Sequence, residues 1–159
     1  MDEFLTLSTD TKLFRFAQSS IVYIEADGNY CTITLSDGST HDFTIQLGTV
    51  EKLMLSQFKH AGAGTFIRVG RSLIVNRNFV QSIEPGKKSL VMFCGSSSTG
   101  NELFVYKNDD KSILKQKDVK KKAIPSEYKV KDIYKTFHLT AAADALKDLK
   151  KELEKNFTQ

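Results

Sequence analysis

The sequence predicts a mainly β fold with one small helix inside the β-rich part and an amphipathic α-helix at the C-terminal end. The 159 residues include 11 Phe and 5 Tyr but only 2 Pro, and Val, Ile and Thr recur in short runs, as is typical of strands. Asp-Gly pairs at Asp27-Gly28 and Asp37-Gly38 suit tight turns between antiparallel strands. A chain of 159 residues with a hydrophobic content of 40% is long enough for one buried core and short for two full domains.

The first part of the chain predicts a meander of strands. Leu5–Phe16 alternates loosely between apolar and polar residues. Three further strands are predicted over Ile21–Ala26, Tyr30–Leu35 and Thr40–Gln46. Because successive side chains of a strand point to opposite faces, Ile33 and Leu35 are expected on one face and Thr32 and Thr34 on the other. We therefore expect a sheet with one solvent-exposed face.

The spacing of apolar residues changes from that of a strand to that of a helix over Gly48–Phe58, where Val50, Leu53 and Met54 lie at helical spacing. This predicts one short helix, with Thr49 as its N-cap. The β pattern then resumes in short segments over Thr65–Val69, Ser72–Val75, Val80–Glu84, Leu90–Phe93 and Leu103–Tyr106.

A change of composition at Lys111 predicts a domain boundary near Lys115. Residues 1–114 are expected to form the β-rich domain, 115–127 a basic linker, and 128–159 a C-terminal helical extension. Six Lys occur within residues 111–122, a run that is either a solvated linker or a source of salt-dependent affinity for DNA. An amphipathic helix capped by Thr140 is predicted as far as Asn156, from a three-four spacing shared by Leu139, Ala142, Leu146, Leu149 and Leu153. Its leucine face is expected to pack on the domain or on a second copy of the chain.

Charge and cysteine usage exclude several classes of protein. Residues 1–110 hold ten Lys and Arg against twelve Asp and Glu, whereas residues 111–159 hold thirteen against seven, so any nucleic-acid site in the β-rich part must be a local patch. No signal peptide or apolar run of membrane-spanning length occurs, so we expect a cytoplasmic protein without a membrane partner. Cys31 and Cys94 are expected to be ordinary thiols.

Catalysis finds no support in the sequence. His41, His60 and His138 lie far apart, with no acidic or cysteine partner at ligand spacing. We therefore expect neither an enzyme nor a metal site, and no cofactor.

Two blocks separated by the predicted helix, IVYIEADGNYCTITLSDGS (residues 21–39) and FIRVGRSLIVNRNFVQSIEP (residues 66–85), resemble the LytTR family of bacterial DNA-binding domains. The resemblance extends from about Leu13 to Leu114. It implies an elongated arrangement of about ten short antiparallel strands with one small helix. It also implies that DNA is read by loops that enter successive major grooves.

The resemblance points to base-contact candidates in three loops: Asn29, Tyr30 and Cys31 in the first, Arg71 in the second, and Lys107 and Asn108 at the last strand. Arg and Lys donate to guanine, and Asn pairs with adenine. Gly70 stands where the family commonly has His, and Tyr106-Lys107 stands where it tends to have Ser-Arg.

A second group is expected to contact phosphates or to shape the loops: Arg68, Ser72, Asn76 and Arg77. For Arg68 and Arg77, an ion pair with Glu25 or Glu84 is an equal alternative. For Asn76, a turn cap is the favoured one.

The resulting expectation is a sequence-specific transcription regulator without a receiver domain. It would bind double-stranded promoter DNA, on repeated half-sites if two copies pair as a homodimer through the C-terminal helix. The alternative is a protein-interaction module on the same β fold that has lost DNA readout.

Overall fold

A computed structural model describes residues 2–59, 64–94, 102–107, 110–115, 128–130 and 134–155. For 102–107, 110–115 and 128–130, the description covers the backbone. The two α-helices of the described part are α1 (Leu47–Gln57) and α2 (Ala143–Glu154). Its strands are β1 (Phe4–Ser8), β2 (Leu13–Ala17), β3 (Ile21–Asp27), β4 (Tyr30–Leu35), β5 (Thr40–Phe43), β6 (Phe66–Val69), β7 (Leu73–Asn76), β8 (Val80–Glu84), β9 (Ser89–Phe93), β10 (Glu102–Lys107), β11 (Asp110–Lys115), β12 (Tyr128–Val130) and β13 (Tyr134–His138). The predicted fold class, mainly antiparallel β with a small helix and a C-terminal helix, is confirmed.

The central sheet has five antiparallel strands in the order β5-β4-β3-β7-β6. It is built from two hairpins, β3–β4 and β6–β7, which pair with each other through β3 and β7. A bulge interrupts β3, where Ile21 pairs with Leu35 and Tyr23 with Thr34. The extra residue, Val22, lets Val22 and Tyr23 both face one side of the sheet while Ile21 and Ile24 face the other.

The first core lies between the central sheet, helix α1 and the β1–β2 hairpin. Val50 and Met54 of α1 pack against Ile24 and Ile74 of the sheet. The predicted cap at Thr49 is wrong. The helix begins two residues earlier, at Leu47, with Gln46 in the N-cap position and no side-chain cap bond. Thr49 therefore lies within the first turn.

The second core covers the opposite face of the sheet and contains the C-terminal helix. Leu146 and Leu149 of α2 are buried with residues of β6, β7 and β9. The expectation of one solvent-exposed face is therefore wrong, and Thr34, expected on that face, is buried. The predicted leucine face of α2 packs on its own domain, which was one of the two options.

The C-terminal helix begins later than the sequence predicts. Ala142 is its N-cap residue and forms no side-chain cap bond, so the predicted cap at Thr140 is wrong. Strands β11, β12 and β13 were not predicted from the sequence. β13 pairs with β9, beside β8, and β12 pairs with β10, beside β11. Residues beyond 127 thus join sheets formed by strands of the predicted domain.

The basic run is described only in part. Residues 111–115 belong to β11, whose partner is β10, and residues 116–127 lie outside the described residues. The boundary near Lys115 stays a prediction. Neither of the described helices has the length and apolar character needed to cross a membrane.

Candidate nucleic-acid interface

Two tight turns meet at one end of the central sheet. The β3–β4 turn contains Gly28 and Asn29, and the β6–β7 turn contains Gly70, Arg71 and Ser72. Because β3 and β7 are antiparallel, the end of β3 lies beside the start of β7. The backbone N–H of Ala26 donates to the carbonyl oxygen of Ser72 over 2.8 Å, so the two turns are neighbours.

Four of the predicted site residues are exposed on these turns. Asn29, Arg71 and Ser72 are exposed, and Tyr30 is 57% exposed. Their side chains supply a guanidinium, an amide, a hydroxyl and an aromatic ring with a phenol. Such groups can donate to or accept from base edges and phosphates. The structure therefore brings together the first two predicted loops.

Arg68 is engaged within the protein. Its Nε donates to the carbonyl oxygen of Gly70 (3.1 Å), and its Nη2 donates to that of Arg71 (3.0 Å). Its Nη1 lies 3.2 Å from Oε1 of Glu51 on α1. Arg68 therefore forms an ion pair, but with Glu51, so the predicted partners, Glu25 and Glu84, were wrong. The three bonds direct the guanidinium toward the turn that carries Arg71.

Two predicted site residues are buried. Cys31 is 1% exposed and packs in the first core, so its side chain lies where no base can reach it, which corrects the predicted base contact. Burial raises the pKa of the Cys31 thiol, and the charge of Arg68 acts in the opposite direction.

Asn76 is also 1% exposed. Its Nδ2 donates to the carbonyl oxygen of Ile21, and its Oδ1 accepts from the backbone N–H of Asn78, each over 2.9 Å. These bonds cap the 3-10 turn after β7, so the turn-cap alternative is confirmed and a phosphate contact is excluded by burial.

Arg77 lies away from the two turns. It is half-buried and follows β7 at the opposite end from Arg71, and the strand between them is about 13 Å long. Its backbone N–H donates to the carbonyl oxygen of Thr65. Lys107 is the last residue of β10, and its backbone pairs with Asp110. Asn108 lies outside the described residues.

Sequence reasoning missed two residues beside the Arg71 turn. Glu51 contacts Arg68 from a helix 17 positions earlier in the chain, and no local pattern marks such a pair. Ala142, at the start of α2, lies against Gly70, where an added Cβ would be 3.1 Å from the Ala142 Cβ. Among the described residues, no group of three or more His, Cys, Asp or Glu is placed to hold a metal ion.

Two comparisons with known proteins gave matches. The family model of the LytTr DNA-binding domain matches residues 11–100 of the chain. Among solved structures, the chain is similar to the LytTr DNA-binding domain of a Bacillus cereus protein described as a methyl-accepting/DNA response regulator. That match has 20% sequence identity and a TM-score of 0.43, and it covers 73% of this chain and 89% of the other. No curated protein matches. The family match includes both turns and ends before β10.

Proposed function

Because this chain belongs to the LytTr DNA-binding domain family, we propose that it is a sequence-specific transcription regulator that reads promoter DNA with the two turns. DNA binding is the property that the family's description carries. The observation that carries the finer proposal is the exposure of Asn29, Tyr30, Arg71 and Ser72 on neighbouring turns at one end of the sheet.

The dimensions of the two turns suit a major groove. Each turn closes a hairpin, and the hairpins β3–β4 and β6–β7 lie side by side. With strands about 4.8 Å apart, the centres of the two hairpins are separated by roughly 10 Å. A B-DNA major groove is about 12 Å wide and admits a two-stranded ribbon, so both turns fit one groove when one hairpin follows the other along it. Bases along one strand rise about 3.4 Å apart, so 10 Å corresponds to about three base pairs.

Arg71 is the proposed base reader. Its guanidinium can donate two hydrogen bonds to O6 and N7 of guanine, and the Asn29 amide can bond adenine in the same bidentate way. Ser72 and Tyr30 have hydroxyl groups that suit phosphate oxygens. Asp27 is exposed beside the first turn, and its charge disfavours a phosphate there, so the turns must enter the groove by their tips.

We do not propose that two copies of the chain pair through the leucine face of α2. Leu146 and Leu149 of that face are buried within the chain, so they are not available to a second copy. We propose instead that each domain contacts its own half-site in the cytoplasm, with spacing set by the DNA.

Selection from a random pool of DNA duplexes tests the proposal. The wild-type chain is incubated with the pool, bound duplexes are recovered over several rounds, and the enriched sequences are read. We expect a short enriched motif that contains a G·C pair, bound more tightly than an unrelated duplex. Recovery without enrichment would contradict sequence-specific reading. The absence of any recovered DNA would favour the protein-interaction module.

A further inference from the structure

The turn that carries Arg71 is held by both of the α-helices that the structure describes. We propose that Arg68 and Ala142 are positioning residues for DNA reading, which fix the Arg71 loop (Gly70–Ser72) before DNA arrives. This inference rests on the proposed function, because it concerns how the same loop is prepared to bind.

From the side of α1, Arg68 holds the loop through its backbone. Two of its nitrogens donate to the consecutive carbonyl oxygens of Gly70 and Arg71, at 3.1 and 3.0 Å. A third nitrogen is bound by Glu51 at 3.2 Å, which fixes the guanidinium against a helix of the first core. The planar fork of an arginine can hold three acceptors in this way, whereas a lysine ammonium acts as a compact point charge.

On the opposite face of the sheet, α2 packs against the same loop and the strands that flank it. Val69 and Leu73, which flank the loop, are buried in one core with Leu146 and Leu149. Gly70 has a φ of +71°, and a Cβ built there would lie 3.1 Å from that of Ala142. Only glycine suits both the conformation and this close approach. Ala142, the N-cap residue of α2, therefore occupies the space beside the loop.

The charges around Arg68 favour positioning over phosphate contact. Its side chain is 32% exposed, and the Glu51 carboxylate compensates its charge. A compensated guanidinium releases few counterions when DNA binds. Removing it should therefore alter the placement of Arg71 and leave the salt dependence of binding unchanged.

The first test needs no DNA. Trypsin cleaves after arginine, so the rate of cleavage at the Arg71–Ser72 bond, followed by mass spectrometry, reports how firmly the loop is held. We expect Glu51→Gln, Arg68→Lys and Ala142→Leu to be cut faster at this bond than wild type. Arg15→Lys, the matched control on the β1–β2 hairpin, should be cut at the wild-type rate. Unchanged cleavage in all three variants would overturn the proposal that Arg68 and Ala142 fix the Arg71 loop.

The second test measures binding of the full chain to a duplex with the enriched motif and to an unrelated duplex. Arg68→Lys should weaken binding to the motif about tenfold, the loss of part of one bidentate base contact. Binding to the unrelated duplex should not change. In Arg68→Gln, which removes the charge, the slope of log K against log salt should equal that of wild type. In an Arg71→Ala background, Arg68→Lys should have no further effect.

The outcomes of the two tests distinguish failure of this inference from failure of the proposed function. A salt slope lower by about one in Arg68→Gln, which removes the charge, would indicate a direct phosphate contact and overturn the inference. Full additivity with Arg71→Ala would overturn it too. If Arg71→Ala binds the motif as wild type does, the proposed function fails, while the trypsin test still decides whether the loop is clamped.

Discussion

Replacing Leu146 by alanine tests whether helix α2 is an integral part of the folded domain. The Leu146 side chain is fully buried in the second core, together with Val69, Leu73 and Leu90 of three different strands. Leucine-to-alanine changes at buried sites cost about 2–5 kcal/mol, depending on how far the surroundings collapse. Because strands from two sheets surround this site and limit its collapse into the cavity, we expect the free energy of unfolding to fall by about 3 kcal/mol.

The free energy of unfolding is measured by urea denaturation of the full chain, with thermal unfolding as a second probe. A loss of 3 kcal/mol corresponds to a fall in Tm of roughly 6–12 °C for a chain of this length. Leu55→Ala is the matched control, because Leu55 lies on α1 and is 79% exposed. It should change stability by less than about 0.5 kcal/mol. A loss for Leu146→Ala as small as that of the control would refute the packing of α2 on the domain.

Three further predictions concern buried polar groups. Asn76→Ala removes the bonds to Ile21 and Asn78, and it should lower the unfolding free energy by about 1–3 kcal/mol in urea denaturation. A neutral result would contradict the cap. Burial raises the pKa of the Tyr23 hydroxyl above its ordinary value of 10.0, although a hydrogen bond with Thr34 acts in the opposite direction. The folded state then favours the neutral phenol, so this contribution is present below about pH 10 and is lost as pH rises through the folded pKa. The unfolding free energy of wild type should therefore fall relative to that of Tyr23→Phe between pH 9 and 10.5, and a constant difference would count against it. Burial likewise raises the pKa of the Cys31 thiol, so alkylation at pH 8 should be slow in native protein and fast in urea. Rapid native alkylation would show that the thiol is accessible.

Local patterns predicted much of the fold. Strand β4 has the bounds expected for Tyr30–Leu35, because alternation and flanking Asp-Gly turns act within a few residues. The burial of Cys31 was also readable from the same strand. It lies two positions from buried Ile33, so both side chains point to one face.

The contacts that support the Arg71 loop were not predictable from local sequence. Glu51 of α1 pairs with Arg68 of β6, a contact between two different elements. The bulge at Val22 moves side chains to the other face of the sheet, which strict alternation does not predict. The two-sided burial of the central sheet depends on a helix more than sixty residues away in the chain. Tertiary packing, and not propensity, decided these features.

We propose that Arg71 reads base sequence from a preset loop. The most direct test is the ratio of affinities for the enriched duplex and an unrelated duplex, measured at one fixed salt concentration for wild type, Arg71→Ala and the control Arg15→Ala. We expect Arg71→Ala to lower this ratio about 5- to 150-fold, since a bidentate base contact is worth about 1–3 kcal/mol, while Arg15→Ala leaves it unchanged. An unchanged ratio for Arg71→Ala, or an equal loss on both duplexes, would contradict it.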